Sequence, residues 1–339
     1  MISPSEDNAP SVGPSPMSME EVFRYVREDL DRVEGVLVEG LQSGVPLIAR
    51  VGKYVFQSGG KRMRPLLAIL SSRICGYKGE AHLSMAAATE LIHTATLLHD
   101  DVVDHADLRR GTRSVNTLWN SETSILVGDF LFTRSFCMMV ANKDMRILDL
   151  MSQACRHLAE GEILELAKSG DPSIPEEEYL TIVRDKTAVL ISAATRMGAI
   201  LGNRPEWEED LASYGMNLGM AFQLVDDVLD YAADEEELGK TVGKDLQEGK
   251  VTLPVIRTLS QCTQEEKERL VEIIRSRSTE PKHLHEIFTT IRRHDGLKHT
   301  HSRARGFVEI AKARLNPLPD GRDKAALLAV ADFVASRRN

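Results

Sequence analysis

The chain predicts an all-α protein built as one large helical domain. Strand signals are scarce along its 339 residues. Long stretches without proline carry apolar residues at helical spacing, over 81–108, 122–140, 145–168, 176–201 and 207–232. Ser18-Met19-Glu20-Glu21 and Thr263-Gln264-Glu265-Glu266 have the form of helix capping boxes. No internal repeat and no Gly/Ser/Pro linker interrupts the chain past its first residues. The expected division is therefore a disordered tail, 1–17, followed by a single domain, 18–339.

Taken in order, Met1 to Pro16 is rich in Ser, Pro and Asn, and order is expected to begin at the Ser18 box. Gly59-Gly60 marks a loop before the helical segments, and a second loop is expected near Arg109–Arg113. Pro175 suits the first turn of a helix before Glu176-Glu177-Glu178. Gly202-Asn203 and Pro205 stop that helix before the next one starts. Gly215 and Gly219 form a G-x-x-x-G pair, read as a place where two helices pack closely. A third loop is expected over 233–250.

The hydrophobic fraction of 42% is ample for a core, and the net charge of −9 argues against nucleic acid as a partner. Cys75, Cys137, Cys155 and Cys262 lack metal spacing and read as reduced core residues. No uninterrupted apolar run of about 18 residues exists, so no transmembrane segment is expected. The N-terminal stretch lacks the basic and apolar regions of a secretory signal, so a cytoplasmic location is expected.

Two acidic boxes hold the chemistry. Asp100-Asp101-Val102-Val103-Asp104 and Asp226-Asp227-Val228-Leu229-Asp230 both read Asp-Asp-x-x-Asp. Positions i and i+4 share a helix face, so Asp100 and Asp104 point one way, as do Asp226 and Asp230. A single acidic box is compatible with a solvated surface face. Here Thr96-Leu97-Leu98-His99 precedes one box and Phe222-Gln223-Leu224-Val225 the other, and acids set in apolar helices are poorly explained as surface decoration. All-oxygen ligands suit Mg²⁺, which usually also takes phosphate oxygens.

A diphosphate needs cations as well. Gly59-Gly60-Lys61-Arg62-Met63-Arg64-Pro65 places three basic residues after a double glycine, which lets backbone approach an anion closely. Arg109-Arg110 trails the first box; Lys240, Lys244 and Lys250 trail the second. His93 lies two turns before Asp100 on roughly the same face and becomes an anion donor if that face holds diphosphate. Lys186-Thr187 sits mid-helix, where a threonine is commonly back-bonded and says little alone.

Together these residues resemble the trans-isoprenyl diphosphate synthase family, over nearly the whole ordered chain. The matching stretches are GGKRMRP at 59–65, LLHDDVVDHADLRRG at 97–111, Lys186-Thr187, FQLVDDVLDY at 222–231 and GKTVGKDLQEGK at 239–250. The first box and its flanks look closest to long-chain, octaprenyl-type members. The resemblance implies a helical bundle of the isoprenoid synthase type around a central apolar cavity, a homodimer, and several Mg²⁺ ions per site. It implies head-to-tail (1′-4) condensation of isopentenyl diphosphate with an allylic diphosphate such as farnesyl diphosphate. By it, Asp100, Asp104, Asp226, Asp227 and Asp230 are metal ligands. Arg109, Lys186, Lys240 and Lys250 would hold the allylic diphosphate; Lys61, Arg64, His93 and Arg110 would hold isopentenyl diphosphate. Thr187 and Gln223 would aim oxygen dipoles at the developing cation. Further basic residues often close the site at the C-terminus, where this chain has only Arg337-Arg338, to which no role is given.

Residues before Asp100 would gauge product length. Short-chain family members carry a bulky aromatic four or five positions upstream, where this chain has Thr96 and Ala95. Ile92, Ala88 and Met85 lie deeper, again without an aromatic plug, and 81–100 spans roughly 30 Å at helical rise. Met138 and Met139 are the expected floor. A long all-trans product near C40 is expected, serving a respiratory quinone side chain, with transient membrane contact at its release. Two rivals are weaker. A class I terpene cyclase needs no second basic cluster such as Lys61/Arg64, and a non-catalytic partner subunit should have lost carboxylates or cations that this chain keeps.

Overall fold

The computed structural model describes residues 17–231, 243–278 and 280–337. Lys240 and Arg338 therefore lie outside the described residues, as do the tail 1–16 and residues 233–242 of the expected loop 233–250. The architecture is an all-α bundle whose described residues add one two-stranded ribbon, Leu108–Arg109 against Thr112–Arg113.

Both capping boxes form. Ser18 and Thr263 each accept the backbone N–H of the glutamate three residues on, and Glu21 and Glu266 reach back to the cap. The helix bearing the first box runs Ala81–Val103, five residues short of the expected end at 108. It stops because His105 takes the left-handed region at φ 52°, which lets the Ala106 N–H reach the Asp101 carbonyl at 2.9 Å. The chain then turns into the ribbon. Helices Ser121–Asn142, Met145–Lys168 and Glu208–Tyr231 match the periodic segments within a residue or two. The expected helix 176–201 is continuous in course but contains a π-helical turn, Arg184–Ala188, between Glu176–Val183 and Val189–Leu201. Pro175 occupies its N-cap.

The buried apolar residues form two clusters. One surrounds the first-box helix, with Leu66, Ile69, Leu131, Leu190 and Val330; the other holds Tyr179, Ile182, Leu253, Ile273 and Phe288. The second-box helix joins them, giving Leu211, Tyr214 and Leu218 to the first and Leu224, Val225 and Tyr231 to the second. Its two glycines permit very close packing. A Cβ on Gly219 would stand 2.5 Å from the Ala188 Cα, and one on Gly215 2.7 Å from the Ile191 carbonyl oxygen. The second-box helix is thus pressed against the π-helical turn.

One expectation needs correction. Cys137 is exposed rather than a core residue. The helix Ser121–Asn142 is long and apolar enough to cross a membrane by length and composition, with only Glu122, Asp129 and Arg134 charged along it. One side packs against the first-box helix. The other exposes Ile125, Leu126 and Val140, and Ile163 and Leu166 are also exposed on the following helix.

Gly219→Ala is expected to cost about 1–3 kcal/mol, the usual cost of overpacking against backbone that cannot yield. Urea denaturation checks it, and an unchanged midpoint would contradict this packing.

Candidate active site

The first-box helix ends where three other elements converge. Lys250 donates to Asp104 at 2.9 Å and to Glu248 at 2.6 Å, tying the segment after the second box to the first box. Lys186, on the π-helical turn, is paired with Glu162 at 2.7 Å and with Glu165, both on Met145–Lys168. Arg109 returns from the ribbon to pair with the buried Asp101 at 2.5 Å. A cavity of about 510 Å³ opens here, lined by Asp104, Glu162, Glu165, Lys244, Glu248 and Lys250 among others.

Asp100 stands apart from these pairs. Among the described residues its carboxylate makes no hydrogen bond or ion pair, though its backbone carbonyl accepts the Asp104 N–H at 2.8 Å. Burial pushes its carboxyl up to about 7; Lys186 and Arg109 oppose this, while Glu162 and Asp104 add to it. Among the described residues no three acidic, His or Cys side chains already form a metal-holding group, because lysine and arginine stand between the carboxylates. The donor chemistry nevertheless fits a hard divalent cation. Asp100 is a desolvated carboxylate without a partner, and Asp104 beside it is neutralised only by an exchangeable lysine.

The second box divides three ways. Asp226 pairs with Arg337 at 2.7 Å, and burial still pushes its carboxyl up despite Arg337 and the nearby Lys61. Asp230 accepts the backbone N–H groups of Lys244 and Asp245, each at 3.1 Å, and so caps the short helix Lys244–Gln247. Asp227, expected among the metal ligands, is turned away from them. It is buried, and its two oxygens accept hydrogen bonds from the Tyr179 hydroxyl and, at 3.0 Å, from the Gln223 amide. Burial pushes this carboxyl also up to about 7, against both hydrogen bonds. Residue 227 projects about 100° around the helix from residue 226, so the two carboxylates meet different neighbours.

Thr187 is not back-bonded within its helix. The π-helical turn frees its hydroxyl to donate to Gln223 Oε1 at 2.9 Å. The basic pocket forms beside this. Arg110, at φ 50°, donates to the Gly59 carbonyl, and a Cβ on Gly60 would stand 2.7 Å from its guanidinium, which explains the double glycine. Arg64 has a buried Nε without a hydrogen-bond partner, and burial with Arg110 nearby lowers its pKa against the pull of Glu90. His93 is held neutral, first by burial and then by Arg64, Arg110, Arg109 and Arg62. Arg62 leaves the pocket and pairs with Glu34 at 2.5 Å and Glu90 at 3.1 Å. Arg64 and Arg110 beside one imidazole, Arg64 with an orphaned donor, suit an anion.

Sequence reasoning missed Glu162, Glu165, Tyr179 and Asp245, and assigned no role to Arg337. Glu162 and Glu165 share a face at i and i+3, a usable signal. Arg337 approaches through the fold alone, its guanidinium stacked 4.5 Å from the Phe222 ring centroid. Ala95 and Ile92 are fully buried, Thr96 is half-buried, and Met138 lies where a Cβ on Gly40 would stand 3.4 Å from its Cε and 3.7 Å from Leu91.

The polyprenyl synthetase family profile matches residues 45–291. The chain belongs to that family. It is 42% identical to octaprenyl diphosphate synthase of Escherichia coli over 95% of this chain and 99% of that one. It resembles the crystal structure of a decaprenyl diphosphate synthase from Rhodobacter capsulatus at TM-score 0.91 and 38% identity, covering 94% of this chain and 99% of that one. A polyprenyl synthase from Caulobacter crescentus, complexed with calcium and isoprenyl diphosphate, aligns at TM-score 0.90 and 38% identity, over 96% and 99% of the two chains. The chain is thus a prenyltransferase with the all-α isoprenoid synthase fold, and it elongates trans-prenyl chains by condensing isopentenyl diphosphate.

Cation binding needs ionised carboxylates. The raised Asp100 and Asp227 carboxyls give the metal-free fold stability that is present below the unfolded value near 4 and lost as pH rises through about 7. The opposite sign holds for the cation. Its affinity should strengthen from pH 6 to pH 8, by up to about tenfold for each proton released per pH unit. Calorimetric titration with Mg²⁺ at both pH values checks this; equal affinities would contradict it.

Proposed function

We propose that this prenyltransferase condenses isopentenyl diphosphate head-to-tail (1′-4) with an allylic diphosphate such as farnesyl diphosphate, making an all-trans product near C40. The observation that carries the reading is the Asp100 carboxylate, unpaired and within electrostatic reach of Lys186 and Arg109, next to a separate arginine pocket. One anion site would serve a metal-bound leaving group and the other a second diphosphate.

In this reading Asp100, Asp104 and Asp226 hold several Mg²⁺ ions. Bound there, Mg²⁺ would stabilise the charge that develops on the departing diphosphate. Asp230 keeps Lys244 and Asp245 in place rather than serving chiefly as a ligand. Lys186, Lys250 and Arg109 exchange their present carboxylate partners for allylic diphosphate oxygens, an exchange of like hydrogen bonds. Lys240 belongs to the same set by sequence. Arg64, Arg110, Lys61 and neutral His93 orient isopentenyl diphosphate so that its alkene meets the allylic carbon. Thr187 and Gln223 present oxygens toward the developing positive charge. No protein base stands among these residues, so the proton leaves to the released diphosphate. Apolar walls keep water from quenching the cation.

The buried small residue Ala95, with Ile92 and Thr96, leaves the helix flank free of an aromatic plug, and Met138 would close the far end. Residues 18–339 act as one domain. The exposed apolar faces of Ser121–Asn142 and Met145–Lys168 support a homodimer that covers them. A cytoplasmic location, brief membrane contact at product release and supply of a quinone side chain complete the reading.

Incubation with farnesyl and isopentenyl diphosphates and Mg²⁺, followed by mass spectrometry, tests it. A product near C40 is expected; Ala95→Phe should shorten it, and Asp100→Ala should lower turnover by orders of magnitude while the fold survives. Unchanged product length in Ala95→Phe sinks the gauge, and normal turnover in Asp100→Ala sinks the site.

A further inference from the structure

Tyr179 borders the site but is given no chemical role in the reading above. Its ring is buried among the residues of the second apolar cluster, beside Ile182 and Val225. Its hydroxyl donates to Asp227 Oδ2. The other oxygen of Asp227 accepts from Gln223 Nε2 at 3.0 Å, and Gln223 Oε1 accepts from Thr187 at 2.9 Å. The four side chains therefore form one directed chain of hydrogen bonds, Tyr179 to Asp227 from one side and Thr187 to Gln223 to Asp227 from the other.

Direction matters because the two ends of a glutamine amide have opposite polarity. Both oxygens of Asp227 accept here, so it takes the NH₂ end of Gln223 and leaves the carbonyl oxygen facing Thr187 and the site. The phenol fixes the second oxygen of Asp227 and so fixes the plane of the carboxylate. Without that hydroxyl the carboxylate is free to turn about its terminal torsion, which is broad and two-fold. Gln223 is then free to rotate its N–H groups into the position the oxygen held. An N–H there would repel positive charge where an oxygen attracts it. Gly219 and Ala188 press the two helices together one turn away, so Thr187 and Gln223 have little room to compensate.

We infer that Tyr179 is a positioning residue for prenyl transfer: it locks Asp227, and through Asp227 orients the Gln223 amide, so that carbonyl oxygen faces the developing allylic cation. Asp227 is the anchor of this relay and holds no metal. The inference rests on the reading of Gln223 as a cation-facing dipole.

The test is steady-state kinetics on the full-length enzyme carrying Tyr179→Phe, Gln223→Ala, or both. Loss of one buried hydrogen bond to a charged group should lower kcat roughly tenfold to a hundredfold in Tyr179→Phe. KM for both diphosphates should stay within about threefold, because the loss is felt only as charge develops. In the Gln223→Ala background, Tyr179→Phe should cost less than about threefold more, since both act through one amide. A normal kcat in Tyr179→Phe, or its full effect persisting without Gln223, overturns the inference and leaves the reading of Gln223 standing. Normal turnover in Gln223→Ala overturns that reading and the inference with it. Should Tyr179→Phe not fold, Asp227→Asn takes its place. It offers one acceptor where two donors need one each, so kcat should fall while the Mg²⁺ concentration for half-maximal rate stays unchanged. A Mg²⁺ requirement raised by about tenfold or more would make Asp227 part of the metal site and overturn the relay.

Discussion

Lys250 reaches Asp104 at 2.9 Å from a segment 146 residues further along the chain. That contact joins the segment after the second acidic box to the first box. The constraint behind it is general: a carboxylate taken out of water must find a counter-charge or give up its own. This protein sets two acidic boxes, together with Glu162 and Glu165, into a largely apolar bundle. It satisfies most of them with Lys186, Lys250, Arg109 and Arg337. Asp100 is left to a proton or a cation. Each of these pairs can be exchanged, because a metal can replace the lysine on a carboxylate and a phosphate can replace the carboxylate on the lysine. The same charges thus hold the cleft together and serve as its binding groups.

Packing supplies the precision that charge lacks. Gly215 and Gly219 bring the second-box helix against the π-helical turn at backbone distance, which is what puts Thr187 within 2.9 Å of Gln223. An ordinary α-helical turn would have left the Thr187 hydroxyl to its own backbone. The irregular turn is therefore part of the chemistry, consistent with the tendency of π-turns to occur at functional sites. On the opposite side, Gly60 opens space for Arg110, Gly59 supplies a left-handed φ of 83°, and the Arg62 pairs to Glu34 and Glu90 pin the loop that presents Lys61 and Arg64.

Much of this was legible in the sequence because it is written in local pattern. The capping boxes, the long periodic helices, the two acidic boxes and the basic stretches at 59–65 and 109–110 all depend on neighbours in the chain. What was not legible depends on three-dimensional placement. The early stop at Val103 follows from a left-handed histidine that no propensity marks. The π-turn adds one residue to a helix without changing its apolar pattern. The separate fates of Asp226, Asp227 and Asp230 are set by Arg337, Tyr179 and the Lys244–Gln247 helix, each brought in from elsewhere in the fold. The helix Ser121–Asn142 hid its membrane-like length because Asp129 and Arg134 break the run, although both lie along an otherwise apolar rod.

The central claim is that divalent cations and diphosphate enter by exchanging with the ion pairs that close the metal-free site, leaving the Tyr179–Asp227–Gln223 relay intact. A crystal structure with Mn²⁺ and an unreactive thio-analogue of the allylic diphosphate, using Mn anomalous scattering, tests it most directly. The account predicts Mn²⁺ on Asp100, Asp104 and Asp226, with Lys250 released from Asp104 onto diphosphate oxygen and Asp227 still bound by Tyr179. Mn²⁺ coordinated by Asp227 with the tyrosine displaced, or the Lys250–Asp104 pair intact beside bound diphosphate, would contradict it.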